Sequence, residues 1–163
     1  MTRARMLAFA ALANMPDLDY LPGLAVGALN RYHHQWTHTL GFAVAVSLLF
    51  VWRIRDPFFK GWRGLWLVLL VTGSHLLADV YTADGSEPRG ICALWPLDDR
   101  RCIAESPVFP SWRKHELKDV GSIANLRPAL SEIVLVAPWT LSAAVLYGLQ
   151  RRAARRDQPL AAQ

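Results

Sequence analysis

Apolar residues along the chain gather into long unbroken runs instead of recurring at the spacing of a surface helix, and three of the runs are candidates for membrane spans. Thr39 to Trp52 is short but gains length if His38 and the residues before it join it. Gly64 to Tyr81 and Pro128 to Leu149 approach the roughly 20 residues that a spanning helix needs. Met6 to Met15 is too short to cross alone and lacks the cleavage-site pattern of a signal peptide, so it reads as the end of a longer helix whose start lies outside the sequence. Pro16 stops that run, and Pro22, Gly23 and Gly27 make the next stretch a loop or a broken helix. Thr37 is the expected N-cap of the following span, with His33 and His34 in the preceding loop and His38 in the first turn. The pattern predicts an all-α fold, a polytopic membrane bundle of three to four helices with one long loop rich in Pro, Gly and charge.

Composition agrees with a bilayer, since 53% of the residues are hydrophobic and 19% are charged. The 163 residues show no compositional break, so residues 1–150 are expected to form one domain, followed by a mobile basic tail over 151–163. A formal charge of +5 raises the question of nucleic acid, and the placement of the basic residues answers it. Arg3 and Arg5 precede the first apolar run, Arg53, Arg55, Lys60 and Arg63 fill a short loop, and Arg151, Arg152, Arg155 and Arg156 follow the last run. These are membrane edges, and basic residues concentrate on the cytoplasmic side. With all three groups inside, Pro16 to Thr37 and Thr82 to Arg127 fall on the extracytoplasmic side of a multi-pass protein of the cytoplasmic membrane. Trp62 and Trp66 then read as interface anchors, the expected partners are membrane lipids, and no nucleic acid is expected. Cys92 and Cys102 lie in the outer loop; they either pair in an oxidising compartment or stay as free thiols, and their spacing is not that of a zinc knuckle.

The candidate chemistry is carried by Asp and His. His75 and Asp79 are four apart inside an apolar run, so a helix stacks them on one face, and ionisable groups are costly to keep in a membrane helix without a function. A His to Asp hydrogen bond that locks packing is the plainer explanation. Asp17 and Asp19 follow Pro16 and repel each other unless a cation or a basic group lies between them, although a solvated turn is common for such sequences. His33, His34 and His38 are three of the five histidines within six positions. Either His34 and His38, at helical spacing, or His33 and His38, a loop residue with a helix-start residue, form the binding pair. The charge-derived topology brings these independent segments to the same outer face. Asp and His ligands without Cys suit a divalent ion, zinc first and manganese or iron after it, and the carboxylate share permits two. A metal-activated water would attack an ester, with Asp19 or Asp79 as the carboxylate that takes its proton. Arg100 and Arg101 can hold an anionic substrate or headgroup, or pair with Asp98 and Asp99. Glu132 is a further candidate at the outer end of the last run, and His115 reads as surface.

The segments ALANMPDLDYL, HHQWTHTLGF, GSHLLADVYTADG and LWPLDDRR, in this order, resemble the YdjM family of inner-membrane metal-dependent hydrolases over most of Ala8 to Arg101. The family's Pro-Asp-x-Asp falls on Pro16 to Asp19, and its His-Arg-x-x-Thr-His on His33, Thr37 and His38, with His34 in place of Arg. Its His-x-x-x-Asp falls on His75 and Asp79, followed by Thr82 and Gly85. Its Trp-Pro-Phe-Ser-x-Arg-Arg-like segment falls on Trp95 to Arg101, with Leu97 and Asp98 as departures. The resemblance favours His33 over His34 and implies Asp17, Asp19, His33, His38, His75 and Asp79 as metal ligands. Family members commonly open with a helix bearing a further Thr-His pair, and this sequence begins just after that place. A relation to zinc-dependent phospholipase-like helical folds makes a lipid or phosphoester the expected substrate. Two other classes remain: a membrane binding or regulatory protein with a structural or vestigial metal, and a small transporter whose His75 and Asp79 relay ions.

Overall fold

The computed structural model describes residues 2–85, 89–114 and 116–156, so His115 and the end of the basic tail lie outside the described residues. Helices α1 (Arg3–Ala13), α2 (Tyr20–Ala25), α3 (Leu40–Arg53), α4 (Gly61–Val80), α5 (Leu117–Val120) and α6 (Leu126–Arg156) follow in chain order. Among the described residues the only extended pairings are two isolated bridges, Thr82 with Phe109 and Ile91 with Cys102, so the fold is all-α as expected. Two compact units divide at Asn125 and Leu126.

In the first unit, α4 is the central element and packs against both α1 and α3. Its buried positions are Gly64, Val68, Thr72 and Leu76, a strict four-residue stripe that keeps one narrow face inward. Gly64 is required there, because a Cβ would collide with the backbone of Phe59. Leu12 of α1, Val68 of α4 and Phe59 form the buried core, and Phe59 receives Phe9 and Phe50 edge-on at 5.4 and 5.2 Å. Arg5 grips Asp56 with two hydrogen bonds of 2.8 Å, which ties the start of α1 to the loop between α3 and α4. Its guanidinium and a backbone N–H of Phe58 hold the Asp56 carboxyl down at about 2. The basic residues of that loop therefore gather at one end of the three helices. The opposite end brings together the turn after α1, the start of α3 and the last turn of α4.

Among the described residues, two helical stretches, Gly61–Val80 and Ile123–Gln150, are long and apolar enough to cross a membrane. At a rise of about 1.5 Å per residue, α4 is roughly as long as a bilayer core is thick. It turns Trp62, Trp66, Leu70 and Leu77 outward. Within its own unit α6 leaves its apolar side chains exposed, among them Ile133, Val134, Trp139 and Val145, which suits a lipid environment. Pro138 lies inside α6, and the helix runs through Arg151 and Arg152 to Arg156.

The start of α3 departs from expectation. Its N-cap is Thr39, whose Oγ1 accepts from the N–H of Phe42 at 3.0 Å, and not Thr37. His38 consequently precedes the helix, and α3 has 14 residues with no extension from the preceding segment. The reason is local: residues before Thr39 fold as a tight turn with His34 at a positive φ of 62°, which aims the imidazoles inward and cannot continue a helix.

Candidate metal centre

Asn14 closes α1, and Pro16 opens a 3₁₀ turn, Pro16–Asp19, whose fixed φ suits a first helical position. The turn sends its two carboxylates in different directions. Asp19 is 1% exposed and uses both oxygens: Nδ1 of His33 donates to Oδ1 at 3.0 Å, and Nδ1 of His38 donates to Oδ2 at 2.9 Å. Burial alone would raise the Asp19 carboxyl, and the two ring hydrogen bonds overcome it and hold it well below the usual range. With its Nδ1 proton committed to Asp19, His38 presents Nε2 as a lone pair.

That Nε2 lies 3.3 Å from Asp79 Oδ2 and 3.9 Å from Asp17 Oδ1. Nε2 of His75 lies 3.4 Å from each of the same two oxygens. As the four-residue spacing predicts, His75 and Asp79 share one face of α4. His38 Nε2, His75 Nε2 and Asp79 Oδ2 are buried and make no hydrogen bond. Orphaned polar atoms this close together are costly unless something else satisfies them. Asp17, His38 and His75 offer ligand atoms within 4.8 Å of one another, and Asp79 Oδ2 lies 3.3 and 3.4 Å from the two imidazole nitrogens, so a divalent ion with bonds of about 2.0–2.1 Å would draw these donors inward by a small adjustment. Asp17, with a side chain 33% exposed, is the open edge of this quartet. Burial raises its carboxyl and the imidazoles of His75, His33 and His38 more than offset that, leaving it below its ordinary value.

A second layer was not evident from the residue pattern. Tyr20 stacks on His33 with ring centroids 4.0 Å apart. Nζ of Lys114 donates to Nε2 of His33 at 2.8 Å. Burial pushes the His33 imidazole down to about 3, which keeps that nitrogen an acceptor. Nδ1 of His34 donates to Asp84 Oδ2 at 3.1 Å, and the N–H of Gly90 donates to the same oxygen at 2.9 Å. Gly90 is held in place by a positive φ of 76° and by Arg101, which donates to its carbonyl oxygen. Arg101 thus buttresses the loop that carries Asp84, while Arg100 is turned to solvent and paired with Asp98, the plainer of the two readings held for it. Cys92 and Cys102 are free. The antiparallel bridge pairs Cys102 with Ile91, so Cys92 is offset by one residue, which turns successive side chains to opposite faces. Glu132 lies on α6, in the other unit.

Fold and site together define an all-helical membrane protein with a buried cluster of His and Asp able to hold a metal ion. The chain belongs to the family described as YdjM inner membrane protein, whose model matches residues 1–154. The inner membrane protein YbcI of Escherichia coli (strain K12) is 40% identical over 103 residues, which are 60% of this chain and 57% of that protein's length. The chain thus spans little more than half of that curated relative. No solved structure matches it. The family's description is that of an inner membrane protein.

Proposed function

We propose that this chain is a membrane-bound metal-dependent hydrolase acting on an ester or phosphoester. The observation that carries the reading is that His38 Nε2 and His75 Nε2 each face Asp17 Oδ1 and Asp79 Oδ2 at 3.3 to 3.9 Å, with His38 Nε2, His75 Nε2 and Asp79 Oδ2 buried and without a hydrogen-bond partner. Nitrogen and oxygen donors without sulfur favour zinc, with manganese or iron as alternatives. A divalent ion held there would supply Lewis acidity and a nucleophile drawn from water at neutral pH. The chain's own residues do the rest. Asp19 fixes the proton of His38 on Nδ1 and so keeps Nε2 available. Asp79 turns Oδ2 to the two imidazoles and borders a cavity of about 20 Å³, room for one water, from which its carboxylate can take a proton. Asp17 leaves the approach for substrate open. The same reading takes the chain several times through the membrane and sets the centre at the extracytoplasmic face, supported by the basic residues at the opposite end of α1, α3 and α4.

A non-catalytic protein with a structural ion is the second reading, favoured by the four protein donors, since closed structural sites use four. Exposure of Asp17 speaks for the catalytic one. The test is turnover of aryl phosphate monoesters and diesters, aryl esters and phospholipids by the detergent-purified protein. The hydrolase reading predicts activity removed by a chelator, restored by metal and lost in His75→Ala. A folded, metal-loaded protein inert on the whole panel would leave the structural reading in its place.

A further inference from the structure

Beside the quartet lies a second group of buried imidazoles. His33, His34 and His38 offer ring nitrogens within 4.8 Å of one another, a spacing that suits a second divalent ion. His34 is 7% exposed, and its Nε2 is buried without a hydrogen-bond partner. This group is not open, however, because Nε2 of His33 accepts from Nζ of Lys114 at 2.8 Å. Lys114 also lies over the ring of Tyr20, 5.3 Å from its centroid. With Asp79, His34, Asp84, Thr82 and Trp112 it lines the water-sized cavity next to the quartet.

Its position is built. Asn125, 5% exposed, accepts from the backbone N–H of Arg113 at 2.8 Å and donates to the carbonyl of Arg113 at 2.9 Å, so the residue before Lys114 is clamped on both sides. The same side-chain amide also donates to the carbonyls of Asp119 and Val120, which ties the clamp to α5. Burial pulls the Lys114 amine below its ordinary value, and the carboxylates of Asp79, Asp17, Asp84 and Asp19 act against that in favour of the charged form. An ammonium carries three N–H groups, and among the described residues only His33 accepts one.

We propose that Lys114 stands in for a second metal ion: the centre takes one divalent ion, in the quartet, and the free N–H groups of Lys114 bind a single oxygen of a phosphate-type group that reaches into the adjoining water-sized cavity. This rests on the hydrolase reading and narrows its substrate to a phosphoester. An ammonium there supplies positive charge opposite the metal without a second ion, as lysine does at many phosphate sites. Either a lipid headgroup or a water-soluble phosphoester can carry such an oxyanion.

The experiment measures zinc stoichiometry and inorganic phosphate affinity of the zinc-loaded, detergent-purified protein for the parent, Lys114→Met, Lys114→Arg and Lys114→Asp. The parent binds one equivalent of zinc. Lys114→Met keeps that equivalent and loses about tenfold or more in phosphate affinity, the scale of one charge-assisted hydrogen bond. Lys114→Arg keeps most of the affinity, which separates a charge role from a packing role. Lys114→Asp, a carboxylate beside the imidazoles of His33 and His34, gains a second equivalent. Competition by dihexanoyl phosphatidic acid at lower concentration than phosphate assigns the site to a lipid headgroup, and competition by phosphate alone to a soluble ester; both outcomes support the oxyanion role. Two equivalents of zinc in the parent, or full phosphate affinity in a folded one-zinc Lys114→Met, overturns this inference and leaves the hydrolase reading standing. A folded parent that takes up no zinc overturns both.

Discussion

Asp19→Asn separates an orienting carboxylate from a ligating one. In the structure both oxygens of Asp19 accept ring N–H groups, from His33 at 3.0 Å and from His38 at 2.9 Å. An Asn amide offers one oxygen and one NH₂ group, so one of the two imidazoles meets a donor and must move its proton to Nε2. If that ring is His38, the lone pair between Asp17 and Asp79 is lost. If it is His33, Nε2 no longer accepts from Lys114. Outer carboxylates that orient a ligating histidine contribute about 10- to 100-fold to metal affinity, which is about 1.4 to 2.7 kcal/mol at 1.36 kcal/mol per decade. The expected loss for Asp19→Asn lies in that range, with stoichiometry preserved at saturating metal. Competitive zinc titration against a chelator reads the affinity, and imidazole nitrogen NMR reads which ring changed tautomer. Affinity within about twofold of the parent, with both tautomers unchanged, would refute the orienting role; loss of the bound equivalent even at saturation would make Asp19 a direct ligand.

Other expectations follow from the same geometry. Gly64→Val forces a Cβ into the Phe59 backbone and should lower the melting temperature in detergent, by the 1–3 kcal/mol or more that about this degree of overpacking costs; an unchanged melt would contradict the close contact of α4 with that turn. The Asp56 carboxyl sits lower in the folded protein, at about 2, than in an unfolded chain. Its stabilising contribution is therefore present above the ordinary carboxylate value and fades as pH falls through about 2, so Asp56→Asn should cost stability at pH 6 and little at pH 2. Equal cost at both would show that the Arg5 ion pair is not the source. Reporter fusions at Pro57 and at the C-terminus should both signal from the cytoplasm, and an external signal from both would reverse the side of the centre.

Much of the architecture was legible because long apolar runs and charge placement are properties of single segments. The runs at Gly64 to Tyr81 and Pro128 to Leu149 correspond to α4 and α6, and the four-residue spacing put His75 and Asp79 on one face. The division of labour among the candidates was not legible, because it depends on which ring nitrogen faces which oxygen. Asp19 and Asp17 look alike in Pro-Asp-x-Asp, yet one is enclosed between two imidazoles and the other borders solvent. Thr37 was the expected cap, and the cap is Thr39 because Thr37 is buried beside His38, its hydroxyl 3.3 Å from that ring's Nδ1. Lys114 and Asp84 escaped notice for a different reason: they reach the centre from irregular loop, where no periodicity marks an inward-facing position. Asp84 lies in the long loop rich in Pro, Gly and charge, and the contact of Lys114 with His33 spans 81 residues of sequence.

Absorption spectroscopy at the zinc edge on the purified, zinc-loaded protein tests the central claim most directly, since it reports ligand type and distance without requiring a substrate. The account predicts two imidazole nitrogens and carboxylate oxygens at about 2.0–2.1 Å with no sulfur, a signal that collapses in His38→Ala and Asp79→Ala. Sulfur at about 2.3 Å, which would bring in Cys92 or Cys102, or an unchanged spectrum in both variants, would contradict it.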